Sequence, residues 1–353
     1  MTVRTTDVDV VVIGAGFAGL IAAHTLHQAG HTVKCFEARD RVGGRASTIN
    51  VAGLAVELGA TWYWHNEPLI QQVLKQLELD SFAQALTGDA MFEPPDQAAQ
   101  RIRGNPIDGP ALRFATGAQS VATALANQLE PNHLSLGDPV AAVEQYADHL
   151  VVEAATGKVT TQHLIVAVPP ALAFETIEFR PELSAELRAA AAAKPVWMGD
   201  MVKAIAIYDS PVWQASGLAG SAISYRGPFQ EFHDHSGPDT SGAAAIFGFA
   251  RSATLPEATD NDIAETFRAQ LGRIFGDTIG QPQHIIVTNW ANEYYTNPTG
   301  VGSVGTSPPL TVSNTPGDKR IRWASTETAD AFSGHIEGAL RAGLAAARGI
   351  QAW

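Results

Sequence analysis

Hydrophobic positions follow a recognisable order in the first 45 residues of the chain. Val8 and the run from Val10 to Ile13 are continuously apolar, which is typical of a strand buried on both faces of a parallel sheet. A glycine-rich turn, a helix of small residues ending at Gly30 and a second strand, HTVKCFE, follow. This order predicts a Rossmann-like α/β domain with a doubly wound parallel sheet.

Apolar strand patterns recur farther along the chain, and those after Met198 form a separate block. They occur in PVAAVEQY, HLVVEAA and HLIVAVPP, and again in MVKAIAIY, AAAIFGFA and HIIVTNW, which lie with one amphipathic helix between Met198 and Trp290. The stretch from Phe92 to Pro110 and the segment GPFQEFHDHSGPDTSG are rich in proline, glycine and polar residues, so we expect loops there. The later block therefore predicts an α+β domain built on a mixed sheet.

The composition is that of an ordinary globular protein with an excess of acidic residues. The chain has 353 residues, a net charge of −13 and one cysteine, Cys35. The acidic balance disfavours a nucleic-acid partner and an anionic membrane surface, and a single cysteine permits no intrachain disulfide. No stretch of 18 or more apolar residues occurs, and the first residues carry no apolar signal core. We therefore expect a soluble, cytoplasmic protein.

Gly14, Gly16 and Gly19 form a GxGxxG motif between the first strand and the first helix. In this setting the first glycine permits a tight turn, the second lets backbone N–H groups approach a pyrophosphate, and the third lets helix and strand pack closely. Glu37 ends the second strand, where an acidic side chain accepts hydrogen bonds from a ribose. The motif predicts a dinucleotide site, and the alternative is a glycine turn without a ligand.

A second glycine pair follows at once in EARDRVGGRA. Arg39 and Arg45 flank Gly43 and Gly44, and Arg45 can form charge-assisted hydrogen bonds with a phosphate. A nicotinamide enzyme has no obvious need for this second phosphate clamp. The pair therefore extends the predicted phosphate-binding surface.

These segments, together with ELGATW at 57–62, resemble the flavin-dependent amine oxidases, which include the monoamine, polyamine and L-amino-acid oxidases. The similarity continues in IVAVPPAL, MVKAIAIYDSPVW, TNWANEYY and STETADAFSGHIEGALRAG, so it spans nearly the whole chain in the family's order. Only residues 87–112 separate SFAQAL from RFATGAQS. The family normally places a long helical portion of the substrate domain there, so the resemblance implies that this portion is truncated.

The resemblance implies two interleaved domains and a FAD cofactor. The FAD-binding domain would comprise residues 1–80, 112–190 and 293–353, and the substrate domain residues 81–111 and 191–292. By resemblance, Glu327 hydrogen-bonds the ribitol chain and the backbone of Ile336 meets the flavin pyrimidine, with Ser333 as the helix N-cap. The cofactor residues implied are Gly14, Gly16, Phe17, Ala18, Gly19, Glu37, Ala38, Arg39, Gly44, Arg45, Gly59, Ala60, Thr61, Trp62, Val140, Glu327, Gly334, His335 and Ile336.

Lys203 is the candidate catalytic residue. Alternation in MVKAIAIY puts Lys203 on one strand face with Ile205 and Ile207, an unusual place for a solvated ammonium group. The resemblance implies that this lysine reaches flavin N5 through a water, and burial would lower its pKa toward neutrality. The alternative is a surface lysine at a strand end.

The sequence departs from the monoamine oxidases at two further places. Thr299 occupies the position of their flavin-linking cysteine, which implies that FAD is bound noncovalently. Gly300 and His335 occupy the positions of the two aromatic rings that face the flavin, which puts arylalkylamine substrates in doubt. His335 could bond a polar substrate or have a structural partner. The candidate substrate residues are Tyr63, Tyr295, Thr299 and His335.

The resemblance implies an FAD-dependent amine oxidoreductase. Hydride would pass from the amine α-carbon to flavin N5, the imine would hydrolyse, and dioxygen would reoxidise the flavin and give peroxide. The alternatives are a flavin dehydrogenase or desaturase with a non-amine substrate or another acceptor, and a low-turnover flavoprotein. The latter would dock a protein partner, or a second copy of the chain, over its open flavin face.

His233, Asp234 and His235, with Glu231 nearby, invite a metal interpretation. Their spacing matches no standard ligand set, so we predict no metal site.

Overall fold

The computed structural model describes residues 6–239, 242–299 and 319–351. Within these ranges the strands are β1 (Thr6–Ile13), β2 (Val33–Phe36), β3 (Thr48–Val51), β4 (Leu54–Glu57), β5 (Ser81–Ala83), β6 (Asp89–Glu93), β7 (Gln100–Ile102), β8 (Leu112–Phe114), β9 (Leu134–Ser135), β10 (Val140–Gln145), β11 (Leu150–Ala154), β12 (Gly157–Val166), β13 (Glu178–Arg180), β14 (Met201–Tyr208), β15 (Leu218–Ser224), β16 (Phe229–Asp234), β17 (Ala244–Arg251), β18 (His284–Asn289) and β19 (Ile321–Trp323).

The helices are α1 (Phe17–Gln28), α2 (Pro68–Gln76), α3 (Gln119–Asn127), α4 (Pro170–Thr176), α5 (Ala185–Ala192), α6 (Val212–Ala215), α7 (Asp260–Phe275) and α8 (Ile336–Gln351). Short 3₁₀ turns lie at Ser252–Thr254, Gly276–Ile279, Trp290–Asn292 and Thr326–Thr328.

The first sheet has eight strands, and the glycine-rich turn follows the C-terminal end of its strand β1. Its order is β13-β10-β11-β12-β1-β2-β9, and β19 pairs with β12. β1 lies between β12 and β2 and is parallel to both. Val10 and Val12 pack with α1 and α8, whereas Val11 faces the opposite side of the sheet with α4. This burial on both faces confirms the Rossmann-like fold predicted from the continuous apolar run.

The second sheet is mixed and has seven strands, in the order β18-β14-β17-β16-β15-β6-β7. Phe229, Phe232 and Phe267 join one face of this sheet to α7 in a buried cluster. On the other face, Ile205 and Phe247 pack with residues of the β3–β4 hairpin. The β3–β4 hairpin and the second sheet therefore share an apolar junction.

Two predicted loops are strands in the structure. The stretch from 92 to 110 includes the end of β6 and all of β7, which pair with each other and extend the seven-stranded sheet beside β15. The segment that contains HDH includes β16, which pairs with β17 along its length. The loop prediction was wrong in both places because pairing with distant strands outweighs the local preference of polar residues and glycine.

Residues 84–111, all of which the structure describes, carry β6 and β7 and contain no helix. Between β5 and β8 the chain therefore forms a short hairpin of the seven-stranded sheet.

Candidate cofactor site and active site

A cavity of about 620 Å³ lies where the glycine-rich turn meets the start of α8. Its wall combines segments that are far apart in the sequence. The predicted site residues on this wall are Gly14, Gly16, Phe17, Ala18, Glu37, Ala38, Arg39, Gly44, Arg45, Ala60, Val140, Tyr295, Gly334, His335 and Ile336. Residues that sequence reasoning missed include Trp197, Met198 and Thr296.

The three glycines of the turn have different surroundings. Gly14 has φ of +101°, and a Cβ there would lie 2.9 Å from the Ala167 carbonyl oxygen. A Cβ on Gly19 would lie 1.9 Å from the Gly14 carbonyl oxygen. A Cβ on Gly16 would meet no protein atom within 4 Å and would point into open space. Gly14 and Gly19 therefore serve the turn and its packing, whereas Gly16 leaves room on the cavity side.

The N-terminus of α1 has the properties of an anion site. Gly16 is its N-cap and provides no side-chain hydrogen bond, and no acidic residue occupies the first turn. The first residues of the helix, Phe17 and Ala18, line the cavity. Their backbone N–H groups and the positive end of the helix dipole suit a diphosphate, so this part of the wall fits a dinucleotide such as FAD.

Glu37 is held in place at the end of β2. It is 4% exposed, and its Oε2 accepts a hydrogen bond of 2.7 Å from the Ala15 amide, while Oε1 accepts one of 3.0 Å from the Arg39 amide. The Arg39 guanidinium donates to Glu293 and Thr296. The carboxylate is thus oriented at the cavity wall, as a ribose-binding acid must be.

Arg45 and Glu327 pair with each other. Arg45 donates to both carboxylate oxygens of Glu327, at 2.7 and 3.1 Å, and to the Trp197 carbonyl oxygen at 3.2 Å. Glu327 is 2% exposed and does not line the cavity, whereas Arg45 does. The sequence implied separate contacts to phosphate and ribitol; in the structure the two side chains form one bidentate ion pair, with Glu327 buried and Arg45 at the cavity wall.

The start of the terminal helix differs from the prediction. α8 begins at Ile336, so Ser333 is not its N-cap. The Gly334 amide donates to Thr326 Oγ1 at 2.8 Å and the His335 amide to the Phe332 carbonyl at 3.0 Å, so neither is free for a ligand. Ser333 does not cap the helix because Gly334 has φ of +88°, outside the helical region, so the helix starts two residues later than predicted.

One glycine of α8 lies in close contact with α1. A Cβ on Gly343 would lie 2.2 Å from the Ala18 carbonyl oxygen of α1. A Cβ on Gly338 would instead meet the Phe332 carbonyl oxygen at 2.1 Å, within the same terminal segment. Tight packing against α1 therefore depends on Gly343.

Lys203 is fully buried, as the alternation in β14 predicted. Its Nζ donates to Thr61 Oγ1 at 2.7 Å and to the Gly59 carbonyl at 3.0 Å, and lies 4.1 Å from the centre of the Phe247 ring. Burial lowers the pKa of Lys203 to about 7, against the opposing pull of the Glu57 carboxylate. The amine does not line the cavity; it lies behind the segment that carries Ala60, which does.

Glu57 belongs to the same buried junction. Its carboxylate accepts from Thr48 Oγ1 at 2.7 Å and the Ala118 amide at 2.6 Å, and its own amide donates to His235 Nε2 at 3.0 Å. Burial raises the pKa of Glu57 to about 7 and holds the pKa of His235 well below its ordinary value. Two groups that could change protonation near neutral pH, Glu57 and Lys203, therefore lie at this junction.

Other predicted site residues lie away from the cavity wall. Trp62 donates from Nε1 to Gln84 and packs on Phe247. Gly59 lies directly against the Arg45 backbone, where a Cβ would be 1.9 Å from the carbonyl oxygen. Within residues 59–62, Ala60 alone lines the cavity.

Of the four candidate substrate residues, two line the cavity and two do not. Tyr295 and His335 lie on its wall. Tyr63 is 2% exposed and belongs to the hydrophobic core, and Thr299 is hydrogen-bonded to Glu175 at the surface. The structure thus replaces the expected set with a smaller one, because Tyr63 is drawn into the core beside Phe114. Gly300 lies outside the described residues.

His335 has a partner that the sequence did not indicate. Its Nδ1 lies 2.5 Å from Oε1 of Glu67, which is 1% exposed, and its ring packs 5.0 Å from that of Trp64. Glu67 precedes Pro68 at the start of α2, which marks a helix start, but nothing in the sequence relates it to a residue 268 positions away.

The HDH segment is built into the second sheet. His233 pairs with Asp108 at 2.6 Å, and the Asp234 carboxylate accepts from Trp213 Nε1 at 2.9 Å. In the described ranges no three His, Cys, Asp or Glu side chains are arranged to hold a metal ion. Likewise, no helix in the described part of the chain is long and apolar enough to cross a membrane.

Comparison with family models gives two matches that divide the chain. The model described as flavin containing amine oxidoreductase matches residues 90–351, and the model described as NAD(P)-binding Rossmann-like domain matches residues 12–77. A flavin-containing amine oxidase A of Sus scrofa is 28% identical over 463 aligned positions, which cover 97% of this chain and 85% of that protein. Because the chain has only 353 residues, that relative contains segments that this chain lacks.

Solved structures share the fold. A double mutant of putrescine oxidase superposes with a TM-score of 0.87 at 21% identity, covering 99% of this chain and 100% of that one. Cyclohexylamine oxidase from Brevibacterium oxydans IH-35A superposes with a TM-score of 0.83 at 20% identity, covering 98% of this chain and 99% of that one. A putrescine oxidase of Kocuria rosea is 39% identical over 97 residues, 28% of this chain and 20% of that protein.

Proposed function

Since this chain belongs to the flavin-containing amine oxidoreductases, we propose that it holds FAD noncovalently in the cavity and oxidises aliphatic amines. The start of α1 carries this proposal, because no side chain caps it and its first residues line the cavity near the oriented carboxylate of Glu37. A diphosphate at the helix end and a ribose at the acid match the two ends of an adenosine diphosphate unit. Thr299, instead of a cysteine, supports the noncovalent linkage.

The proposed domain division follows the two sheets. The FAD-binding domain comprises residues 1–80, 112–190 and 293–353, and the substrate domain residues 81–111 and 191–292. Strands β6 and β7 support the assignment of 81–111, since they extend the same sheet as β14.

The chemistry of the proposed reaction belongs largely to the cofactor. When bound, the flavin would supply the redox chemistry: it would take hydride from the amine α-carbon and pass the electrons to dioxygen to give hydrogen peroxide, and the imine would hydrolyse in water. The residues of the chain bind and orient the cofactor. Arg45 and the Gly43–Gly44 turn hold the cofactor side, and Ile336 and Gly334 border the end nearest α8.

Lys203 supplies a proton carrier behind the site. Its depressed pKa lets it exchange a proton near neutral pH, and its hydrogen bond to Thr61 connects it to the segment whose Ala60 borders the cavity. In the proposal, Lys203 acts on the cavity through this segment and an ordered water.

The proposed substrates are aliphatic diamines and polyamines. The structurally similar putrescine oxidase and cyclohexylamine oxidase support an aliphatic amine. His335 stands on the cavity wall where related monoamine oxidases have an aromatic ring, which weakens the grip on aryl amines. The net charge of −13 attracts cationic substrates.

Two measurements on the purified protein test this function. Acid precipitation should release the yellow chromophore into the supernatant, and peroxide should form with putrescine and polyamines but only weakly with benzylamine. Flavin that stays in the pellet would refute noncovalent binding. Turnover only with another electron acceptor would point to the dehydrogenase alternative, and intact flavin without turnover of any amine would point to the partner-docking alternative.

A further inference from the structure

The contact between Glu67 and His335 fixes the tautomer of an imidazole at the cavity. A carboxylate can only accept, so the 2.5 Å contact requires the proton on His335 Nδ1. The other carboxylate oxygen, Oε2, accepts a hydrogen bond of 3.0 Å from the Trp64 amide, which holds Glu67 in place. In the neutral imidazole the lone pair then lies on Nε2.

The free edge of the ring is accessible from the cavity. His335 lines the cavity wall and its side chain is 41% exposed, whereas Glu67 behind it is buried. Trp64 and Phe332 pack against the ring at 5.0 and 6.2 Å and limit its rotation. Among the described residues, none forms a hydrogen bond with Nε2.

Amine oxidation creates a need for such a group. An alkylamine has a pKa near that of lysine, about 10.4, so at neutral pH it arrives as a cation that cannot release hydride. Lys203 does not line the cavity, and its amine is committed to Thr61 and Gly59. Glu37 lines the cavity but lies at the glycine-rich turn, where it binds the Ala15 amide.

Resting on the proposed function, we propose that His335, oriented by Glu67, accepts the proton of the substrate ammonium group at Nε2. An N–H bond of the ammonium breaks, its electron pair stays on the amine nitrogen, and the proton forms a bond with Nε2. Glu67 stabilises the resulting imidazolium, which returns the proton to water at its exposed edge. His335 is thus the catalytic residue of this step and Glu67 its positioning residue.

Other charges around the ring are already paired. Glu337, on α8, forms an ion pair with Arg341 at 3.2 Å. Glu327, in the adjoining 3₁₀ turn, pairs with Arg45 at 2.7 Å. Glu67 is therefore the carboxylate that bonds the imidazole.

The test compares holoenzyme variants with putrescine and with n-butylamine. His335→Asn retains a donor for Glu67 but lacks Nε2, so kcat/KM at neutral pH should fall about 10²–10⁴-fold. The loss should shrink as the pH approaches the pKa of the amine, where the substrate needs no base. Glu67→Gln should cost less, about tenfold, and should shift the acidic limb of the kcat/KM profile. Imidazole added to His335→Ala should restore part of the rate.

His149 offers a matched control, because its Nδ1 also pairs with a carboxylate, that of Asp148, at 2.7 Å. His149→Asn should leave the kcat/KM profile unchanged. Nitrogen NMR of the labelled holoenzyme should show the neutral His335 ring protonated at Nδ1, a readout independent of turnover.

A His335→Asn profile that superposes on an active wild type would overturn the base assignment and leave the proposed function standing. A neutral ring protonated at Nε2 would also overturn it. A wild-type flavin that no amine reduces would instead refute the proposed function, and the assignment of His335 would fail with it.

Discussion

The glycine-rich wall, formed by Gly14–Gly19 and Gly43–Arg45, and the lysine junction, formed by Glu57, Lys203 and His235, are built in opposite ways. The wall is mostly backbone: it offers glycines, amides and a helix end to the cavity. The junction is mostly side chains, buried between two sheets and bonded to each other's segments. Backbone sites bind a fixed anion, whereas buried ionisable side chains can change charge near neutral pH.

The largest expected effect comes from a substitution that breaks the lysine junction. Lys203→Met keeps an unbranched, buried side chain on β14 but removes the amine. We expect the variant to retain FAD and to slow flavin reduction by amine, or reoxidation by dioxygen, about 10²–10⁴-fold. Stopped-flow measurement of the two half-reactions tests this. Lys75→Met, at an exposed lysine of α2, is the control, and unchanged half-reactions in Lys203→Met would leave the buried lysine a purely structural role.

The pH dependence of thermal stability gives a second test of the same variant. The pKa of Lys203 is about 7 when folded and 10.5 ordinarily, so the folded chain binds fewer protons between these values. The lysine therefore costs stability in full below about pH 7, and the cost diminishes as the pH rises above it. Thermal midpoints of wild type and Lys203→Met, taken from pH 7 to pH 9.5, should move in favour of the wild type. A constant difference would contradict a depressed pKa.

A smaller effect should come from the helix packing behind the glycine-rich wall. A Cβ on Gly343 would lie 2.2 Å from a backbone oxygen of α1, so Gly343→Ala should destabilise the fold by about 1–3 kcal/mol. Gly272, in α7, meets nothing within 4 Å. Gly272→Ala should stabilise by about 0.5–1 kcal/mol. Urea denaturation of both variants measures the contrast, and effects of equal sign would contradict the packing.

An effect of similar size concerns the wall itself. Gly16 has room for a Cβ in the protein, so Gly16→Val should leave the fold intact and place its side chain in the space proposed for the diphosphate. FAD affinity should fall at least tenfold, about 1.4 kcal/mol. Flavin fluorescence on dilution of the holoprotein gives the dissociation constant, with Gly272→Ala as the control. Unaltered affinity would exclude the cofactor from this position.

The contrast also explains what could be predicted from the sequence. Gly14, Gly16 and Gly19 act within a few residues of each other, so their spacing indicated the turn, the open side and the close packing. The burial of Lys203 followed from the alternation of one strand. These features depend on local geometry, which the sequence pattern expresses directly.

The remaining features depend on contacts between distant segments. Glu67 meets His335, and Glu327 meets Arg45, across most of the chain, so no spacing indicates either pair. Strand β16 was expected to be a loop because of its local composition. Its pairing with β17 outweighs that composition. The start of α8 at Ile336 also depends on the preceding turn, since the Gly334 amide donates to Thr326 there. Tertiary partners decide such positions.

Anaerobic mixing of the purified holoprotein with putrescine tests the central claim, that this chain is a flavin-dependent oxidoreductase of aliphatic amines. We predict that the absorbance band of the oxidised flavin bleaches, that it returns when air is admitted, and that one peroxide forms for each flavin reoxidised. A flavin that remains oxidised with putrescine, with polyamines and with simple alkylamines would contradict the claim.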